Sequence, residues 1–484
     1  MTTLLGAGGC TYYEETGITQ ALLSTATSRM IRHPLYKLQL RSYATSTKGH
    51  THYFAGAPLN RLAWLRTSPA FLNAVVLSPA TRWVLFSEGK PLLSTPSAGT
   101  SALARLSTQD VRLLLGPEPF FSQGRRAGEA AEGNVKELEA ARVHGPPAVF
   151  LGLHEHADGT GGASRALPSS EFSAKKDAAA VVAQMHGTPY FSLDVSAVEE
   201  ACVSEVLGNS EEARNGAKLE FVDGRAAMSI IDQFESGIFS VARTLVDWSA
   251  RNKFCAGCGS PVYTLWAGWK HGCTSLLPWA EKSEKPCPTA KALNNYMHPR
   301  TDPVVIILTV SPDNGKILLG RNRNWPKNFY SALAGFVEPG ESHEDTVERE
   351  LWEEAGIKLL GLKYHSTQPW PFPANVMAGY YAIADPAEPV RTDLDNELED
   401  ARWYTREEVL AVLAHSDGAA AAKQAPKWDS GVEDTAQHEE VVIRQTQNEP
   451  PFKGPPPNAM AGVLISDWAH GRVSLSEKQD GDLV

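Results

Sequence analysis

Apolar residues along this chain recur with two different periods, and the switches between them sketch its elements. From about residue 52, HYFAGAPLNRL, AVVL and RWVLFSEGKPLL are short apolar runs separated by turn residues, which predicts short strands. ESGIFSVARTLVDWSARNKFC changes to helical spacing, with Ile238, Ala242, Leu245 and Trp248 on one face. PVVIILTV is a continuous apolar run of strand length, DNG a hairpin turn and KILLGRNR the partner strand. ALAGFV then leads into a segment whose Val347, Leu351 and Ala355 form a stripe able to seat a helix on a core. Ser342 with Asp345 predicts a capping box at the start of that helix, and Gly356 a C-terminal cap. Beyond RWYTREEVL, the segment PPPNAMAGVLISDW predicts a last helix with Met460, Val463, Leu464 and Trp468 facing inward. The predicted fold class is α+β.

Between these elements, residues 157–187 are polar and Gly/Ser-rich, and 414–450 are rich in Ala, Gln and charge. Both read as insertions. The expected organisation is a tail or targeting segment over 1–51, an N-terminal domain over 52–235 and a linker helix with a cysteine-rich unit over 236–298. A second domain over 299–475 and a tail over 476–484 complete it. No sequence repeat links the two domains. At 484 residues there is ample core for each part.

Composition narrows the class. A net charge of -11 argues against broad electrostatic binding to nucleic acid. No apolar run approaches the ~20 residues of a membrane span. The basic, acid-free stretch from Met30 to Ser46 looks like a mitochondrial presequence, with a disordered tail as the other reading. The C-terminal Asp-Leu-Val is not a peroxisomal ending. The expectation is an intracellular, cytoplasmic protein with a mitochondrial alternative.

The chemistry concentrates in residues 335–357, GFVEPGESHEDTVERELWEEAGI. Carboxylates crowd one helix with a single Arg among them, and Glu350, Glu353 and Glu354, at i, i+3 and i+4, project to one side. Like charges at those spacings destabilise a helix unless cations neutralise them. An acidic solvated helix is the plainer alternative, but it explains neither the glycines nor the Arg. Gly335, Glu341, Arg349, Glu350, Leu351, Glu353, Glu354, Gly356 and Ile357 match every fixed position of the Nudix box, G-x5-E-x7-R-E-U-x-E-E-x-G-U. The resemblance implies a Nudix α/β/α sandwich that hydrolyses a nucleoside diphosphate linked to another moiety, using Mg2+ or Mn2+. Water attacks an anionic pyrophosphate readily only when cations drain charge from its oxygens. Glu350, Glu353 and Glu354 are the leading ligands, with Glu353 or Glu354 as the rival candidates for general base. Glu341 and Arg349 complete the catalytic set. The resemblance adds the carbonyl of Ala334 and a later glutamate, Glu397 or its rival Glu399, as metal contacts.

Two further patterns agree. Residues 366–373 read STQPWPFP, in which three prolines stiffen a loop that presents Trp370 and Phe372 for stacking. This resembles the SQPWPFPxS signature of the NADH pyrophosphatase subfamily, which implies substrate contacts at Gln368, Pro369, Trp370, Pro371, Phe372, Pro373 and Asn375. Thr367 is an extra residue here, and Asn375 stands where the subfamily has Ser. In the subfamily an alanine matching Ala461 also contacts substrate; a packing alanine is the alternative.

Cys255 and Cys258 form a CxxC pair, followed by Cys273 and Cys287, the economy of a four-sulfur structural Zn2+ site. Cysteines that hold no metal, and a redox pair, are the rival readings. The subfamily carries a zinc ribbon before its Nudix domain, where the last two cysteines are closer than Cys273 and Cys287 are here. It also carries a Nudix-like N-terminal domain and is typically homodimeric. The resemblance implies an NADH pyrophosphatase that cleaves NADH or NAD+ to the nicotinamide mononucleotide and AMP. ADP-ribose or NAD-capped RNA as the main substrate, or a non-catalytic nucleotide sensor, are the alternatives.

Overall fold

The computed structural model describes residues 52–123, 140–155, 177–281, 287–290, 297–394, 397–415 and 450–475. The tails expected over 1–51 and 476–484, with the Met30–Ser46 segment, lie outside the described residues, as does most of both expected insertions.

The first half is built on a seven-stranded sheet. Its strands are β1 (Arg82–Ser87), β2 (Lys90–Thr95), β3 (Ala102–Leu103), β4 (Leu106–Ser107), β5 (Ala148–His154), β6 (Thr188–Asp194) and β7 (Lys218–Phe221). The main path runs β3-β2-β1-β6-β5, with β4 on β1 and β7 on β2. β1 and β2 form an antiparallel hairpin, β6 lies parallel to β1, and β5 runs antiparallel beside β6. The helix Gln233–Arg251 packs on this sheet, burying Ile238, Ala242, Leu245 and Trp248.

Two expected strands are corrected. AVVL is the end of a helix, Pro69–Val76, because Ser68 caps Phe71 N–H, Pro69 occupies the first turn, and Phe71, Leu72, Val75 and Val76 bury one helical face. HYFAGAPLNRL forms no strand; Gly56 and Pro58 interrupt it, and only Asn60 bridges to Leu153.

A small two-stranded sheet of β8 (Val262–Leu265) and β9 (Lys270–Cys273) carries the cysteines. The second half has six strands: β10 (Asp302–Val310), β11 (Lys316–Asn322), β12 (Leu333–Phe336), β13 (Gly361–Trp370), β14 (Asn375–Ile383) and β15 (Leu398–Thr405). Their order is β13-β14-β10-β11-β15, with β12 on β10 and β14 parallel to β10. Asn314 takes a positive φ of 57° in the β10–β11 turn, as a tight hairpin requires.

The pleat of β10 explains the layers. Val304, Ile306, Leu308 and Val310 face the last helix, Met460–Ala469, whose Leu464 and Trp468 are buried with them. Val305 and Ile307 face the helix His343–Ala355, meeting Val347, Leu351 and Ala355. Period-2 alternation on a two-sided apolar strand thus produces an α/β/α sandwich.

Candidate functional site

The box helix, His343–Ala355, begins where Ser342 and Asp345 cap each other reciprocally and ends at Gly356 in the left-handed region, φ 65°. Reciprocal capping satisfies two of the orphan N–H groups, and a residue with a Cβ is strained at that φ. Val347, Leu351 and Ala355 are each fully buried, so the opposite face is held toward the site.

Arg349 organises that face. Its Nε and Nη2 donate to Glu341 at 2.6 and 3.0 Å, its Nη1 donates to Glu350 at 2.8 Å and Glu353 at 2.9 Å, and Nη2 also donates to the Phe336 carbonyl at 2.9 Å. The paired bonds hold the Glu341 carboxyl down at about 2, Arg349 being the first cause. Arg349 is correspondingly pushed above its ordinary value by Glu341.

Glu350 and Glu354 are buried, while Glu353 is 44% exposed at its side chain. Burial pushes the Glu350 carboxyl up; Arg349 opposes this, whereas Glu353 and Glu397 add to it. The Oε1 of Glu397 accepts from Asn322 at 3.2 Å. Glu399 is instead paired with Arg321 at 2.7 Å.

The first box glycine has a direct steric cause. A Cβ at Gly335 would fall 1.8 Å from the Glu350 carboxyl carbon, so glycine there lets the glutamate lie against β12. Its neighbour Ala334 lines a cavity of about 340 Å3, whose wall also includes Ile306, Trp370, Met377, Met460 and Ala461. Ala334, Trp370 and Ala461, distant in sequence, thus share one cavity.

The remaining signature residues lie elsewhere. STQPW is not a loop but the end of β13, the sheet's edge strand, where a proline N–H is not needed for the ladder. Trp370 pairs with Asn375 and Pro369 with Val376. Phe372 is buried among Phe54 and Phe239 of the first half, and Gln368 Nε2 donates to the carbonyls of Tyr53 and Asn458 at 3.1 and 2.8 Å. Pro371 accepts a hydrogen bond from Arg243, and Pro373 follows a cis peptide bond.

Two site features carried no mark in the sequence. Phe336 is 59% exposed at the end of β12, over the Arg349 contact. Arg225, Met228 and Ser229 line the cavity from the first half, more than a hundred residues before Trp370. Only packing brings that turn to the site.

The four cysteine sulfurs lie within 4.8 Å of one another, with Cys255–Cys287 at 3.6 Å and Cys258–Cys273 at 3.4 Å. A tetrahedral metal bonded at ~2.3 Å to each sulfur needs about 3.8 Å between them. The donors fit such an ion, and Cys287 belongs to the set despite its spacing. Among the described residues no trio of carboxylates converges as closely; Glu350 and Glu353 instead share the Arg349 Nη1. Hard oxygen donors of this kind are the type that hold a divalent cation through few carboxylates and several waters.

This architecture, a Glu-rich helix over a mixed sheet beside a cavity, is that of a Nudix-type hydrolase. Residues 300–427 match the NUDIX domain model, and 80–248 match the model described as the NADH pyrophosphatase-like rudimentary NUDIX domain. An NAD-capped RNA hydrolase of Schizosaccharomyces pombe is 33% identical over 75% of this chain and 85% of its own length. The NAD-capped RNA hydrolase NPY1 of Saccharomyces cerevisiae is 29% identical over 75% and 86%. NUDT12 of Homo sapiens, also named an NAD-capped RNA hydrolase, is 41% identical over 39% of this chain and 38% of its own. The chain belongs to the Nudix family, in its NADH pyrophosphatase subfamily. Among the described residues no helix is long and apolar enough to cross a membrane.

Proposed function

We propose that this protein hydrolyses the pyrophosphate bond of NADH, and of NAD+, to the corresponding nicotinamide mononucleotide and AMP. The observation that carries the reading is the cavity that joins Trp370 and Ala461 to Ala334, one residue before the glycine on which Glu350 rests. A base or nicotinamide ring stacked on Trp370 would leave the pyrophosphate toward the box helix. Glu350, Glu353, Glu354, Glu397 and the Ala334 carbonyl would hold Mg2+ or Mn2+, and the contact of Glu399 with Arg321 favours Glu397 as the late ligand. Bound cations would draw charge from the pyrophosphate oxygens and lower the pKa of the attacking water. Arg349 fixes the rotamers of Glu341, Glu350 and Glu353, so that Glu353 or Glu354 can take the water's proton. Water adds to one phosphorus, the bridging P–O bond breaks, and two monophosphates leave. The cysteine cluster would hold structural Zn2+, and the working unit would be a homodimer in the cytoplasm.

The names of the relatives support a second reading, in which the same bond is cut at the NAD cap of an RNA. One experiment separates the possibilities: product analysis with NADH, NAD+, ADP-ribose and NAD-capped RNA, for wild type beside Glu353→Gln. AMP and reduced nicotinamide mononucleotide from wild type alone support the proposal. A clear preference for capped RNA supports the second reading. Saturable binding without any turnover would leave a nucleotide sensor.

A further inference from the structure

We propose that the box-less first half completes the substrate cavity, and that Arg243, on its sheet-covering helix, is a positioning residue for Trp370. The inference rests on the proposed reading of that cavity as the nucleotide site.

Arg243 grips the chain immediately after Trp370 in two ways. Its Nη1 donates to the carbonyl of Pro371, and its guanidinium lies 4.7 Å from the centre of the Phe372 ring. Phe54, from the same half, meets Trp370 edge-on at 5.8 Å and Phe372 at 6.0 Å. Trp370 and Phe372 meet each other edge-on at 5.4 Å. The ring that lines the cavity is therefore held on one side by Phe54 of the first half, while the carbonyl of the next residue, Pro371, is held by a cation of that half.

The same joint carries a piece of the first half into the cavity wall. A Cβ at Gly224 would meet Phe372 at 3.2 Å and Arg243 at 3.3 Å, so the turn starting there is packed directly on the joint. The next residue, Arg225, lines the cavity with Met228 and Ser229, and its guanidinium lies 5.4 Å from the Phe372 ring. Phe372 is 8% exposed and belongs to the first half's core, although it follows a strand of the second. A ring clamped in this way loses little freedom when it stacks on a ligand, which is the benefit of a preorganised site. Arg243 is not among the cavity-lining residues, so it acts on a ligand through Trp370 rather than by contact.

The test is a double-mutant cycle in the full chain, with KM and kcat for NADH measured for wild type, Arg243→Ala, Trp370→Ala and the double variant. Arg243→Lys provides the conservative rescue, since an ammonium can still donate to Pro371 and sit over Phe372. The expected result is a rise in KM of about tenfold for Arg243→Ala, with kcat within about twofold. Lysine should recover most of that rise. On the Trp370→Ala background, Arg243→Ala should have no further effect. A full Arg243→Ala effect on that background, or one confined to kcat, overturns the inference. If wild type turns over none of the NAD-containing substrates, the functional reading fails separately. The same cycle is then read in the Kd for AMP, and additive changes there overturn the positioning role.

Discussion

The two halves of this molecule share a scaffold and differ in what they hang on it. In the first, β2-β1-β6-β5 runs with β1 parallel to β6; in the second, β11-β10-β14-β13 runs with β10 parallel to β14. Each sheet is then covered by a helix that follows its strands, Gln233–Arg251 on β1, β5 and β6, and Met460–Ala469 on β10, β13 and β14. The difference lies between the hairpin and the edge strand. There the second half inserts a thirteen-residue helix bearing Glu350, Glu353 and Glu354, whereas among the described residues the first half has at that place a single four-residue helix, Arg112–Leu115. The scaffold organises a core, and the cluster of carboxylates sits on the insertion. A buried carboxylate of the first half, Glu235, shows the contrast: it accepts from Leu103 N–H and Arg105 at 3.2 and 2.7 Å, a closed structural pair.

The sharpest way to break this comparison is to disarm the insertion. Glu353→Gln should lower kcat by about 10³-fold while the melting temperature stays near wild type, because a half-exposed carboxylate contributes little to the fold. Steady-state kinetics beside a thermal melt would check this, and a variant retaining a tenth of the activity would refute the catalytic assignment. Gly335→Ala comes next. The new methyl must displace the Glu350 carboxyl, so a loss of about 10²-fold in kcat is expected with an overpacking cost of about 1–3 kcal/mol.

Cys255→Ser, or stripping with a strong chelator, should remove bound zinc and lower the melting temperature, while protein kept loaded retains one zinc per chain by elemental analysis. Unchanged stability after complete metal removal would point to the redox reading instead. The smallest effect belongs to Glu235. Burial raises its carboxyl above the ordinary value despite Arg105, so the folded state holds its proton to higher pH than the unfolded chain does. Its contribution therefore favours folding below the raised pKa and falls away as pH rises through it. Glu235→Gln should remove that slope from stability measured across the acidic range and leave kcat unchanged.

What could be read from the chain alone was whatever depends on near neighbours. The capping box of Ser342 and Asp345, the Gly356 cap, the β10–β11 hairpin and the Val347, Leu351, Ala355 face are set by spacings of a few residues. The box itself is legible for the same reason: one helix and the cap region before it bring its carboxylates and Arg349 together. Short apolar runs were less legible. AVVL suits a strand or a helix equally, and Ser68 with Pro69 decided for the helix.

Tertiary structure decided the rest. Phe372 and Gln368 look in sequence like neighbours of Trp370 with one shared task, yet they serve the junction between halves while Trp370 lines the cavity. Arg225 reaches the cavity, and Arg243 the residues just after Trp370, only because the turn and helix that carry them pack on Pro371 and Phe372 of the other half. Cys287 joins its three partners across a spacing that local rules could not close. Contacts within a turn or a hairpin follow from backbone geometry and are written in the order of residues. Contacts between separately built sheets depend on which buried faces meet, and no local period records that meeting.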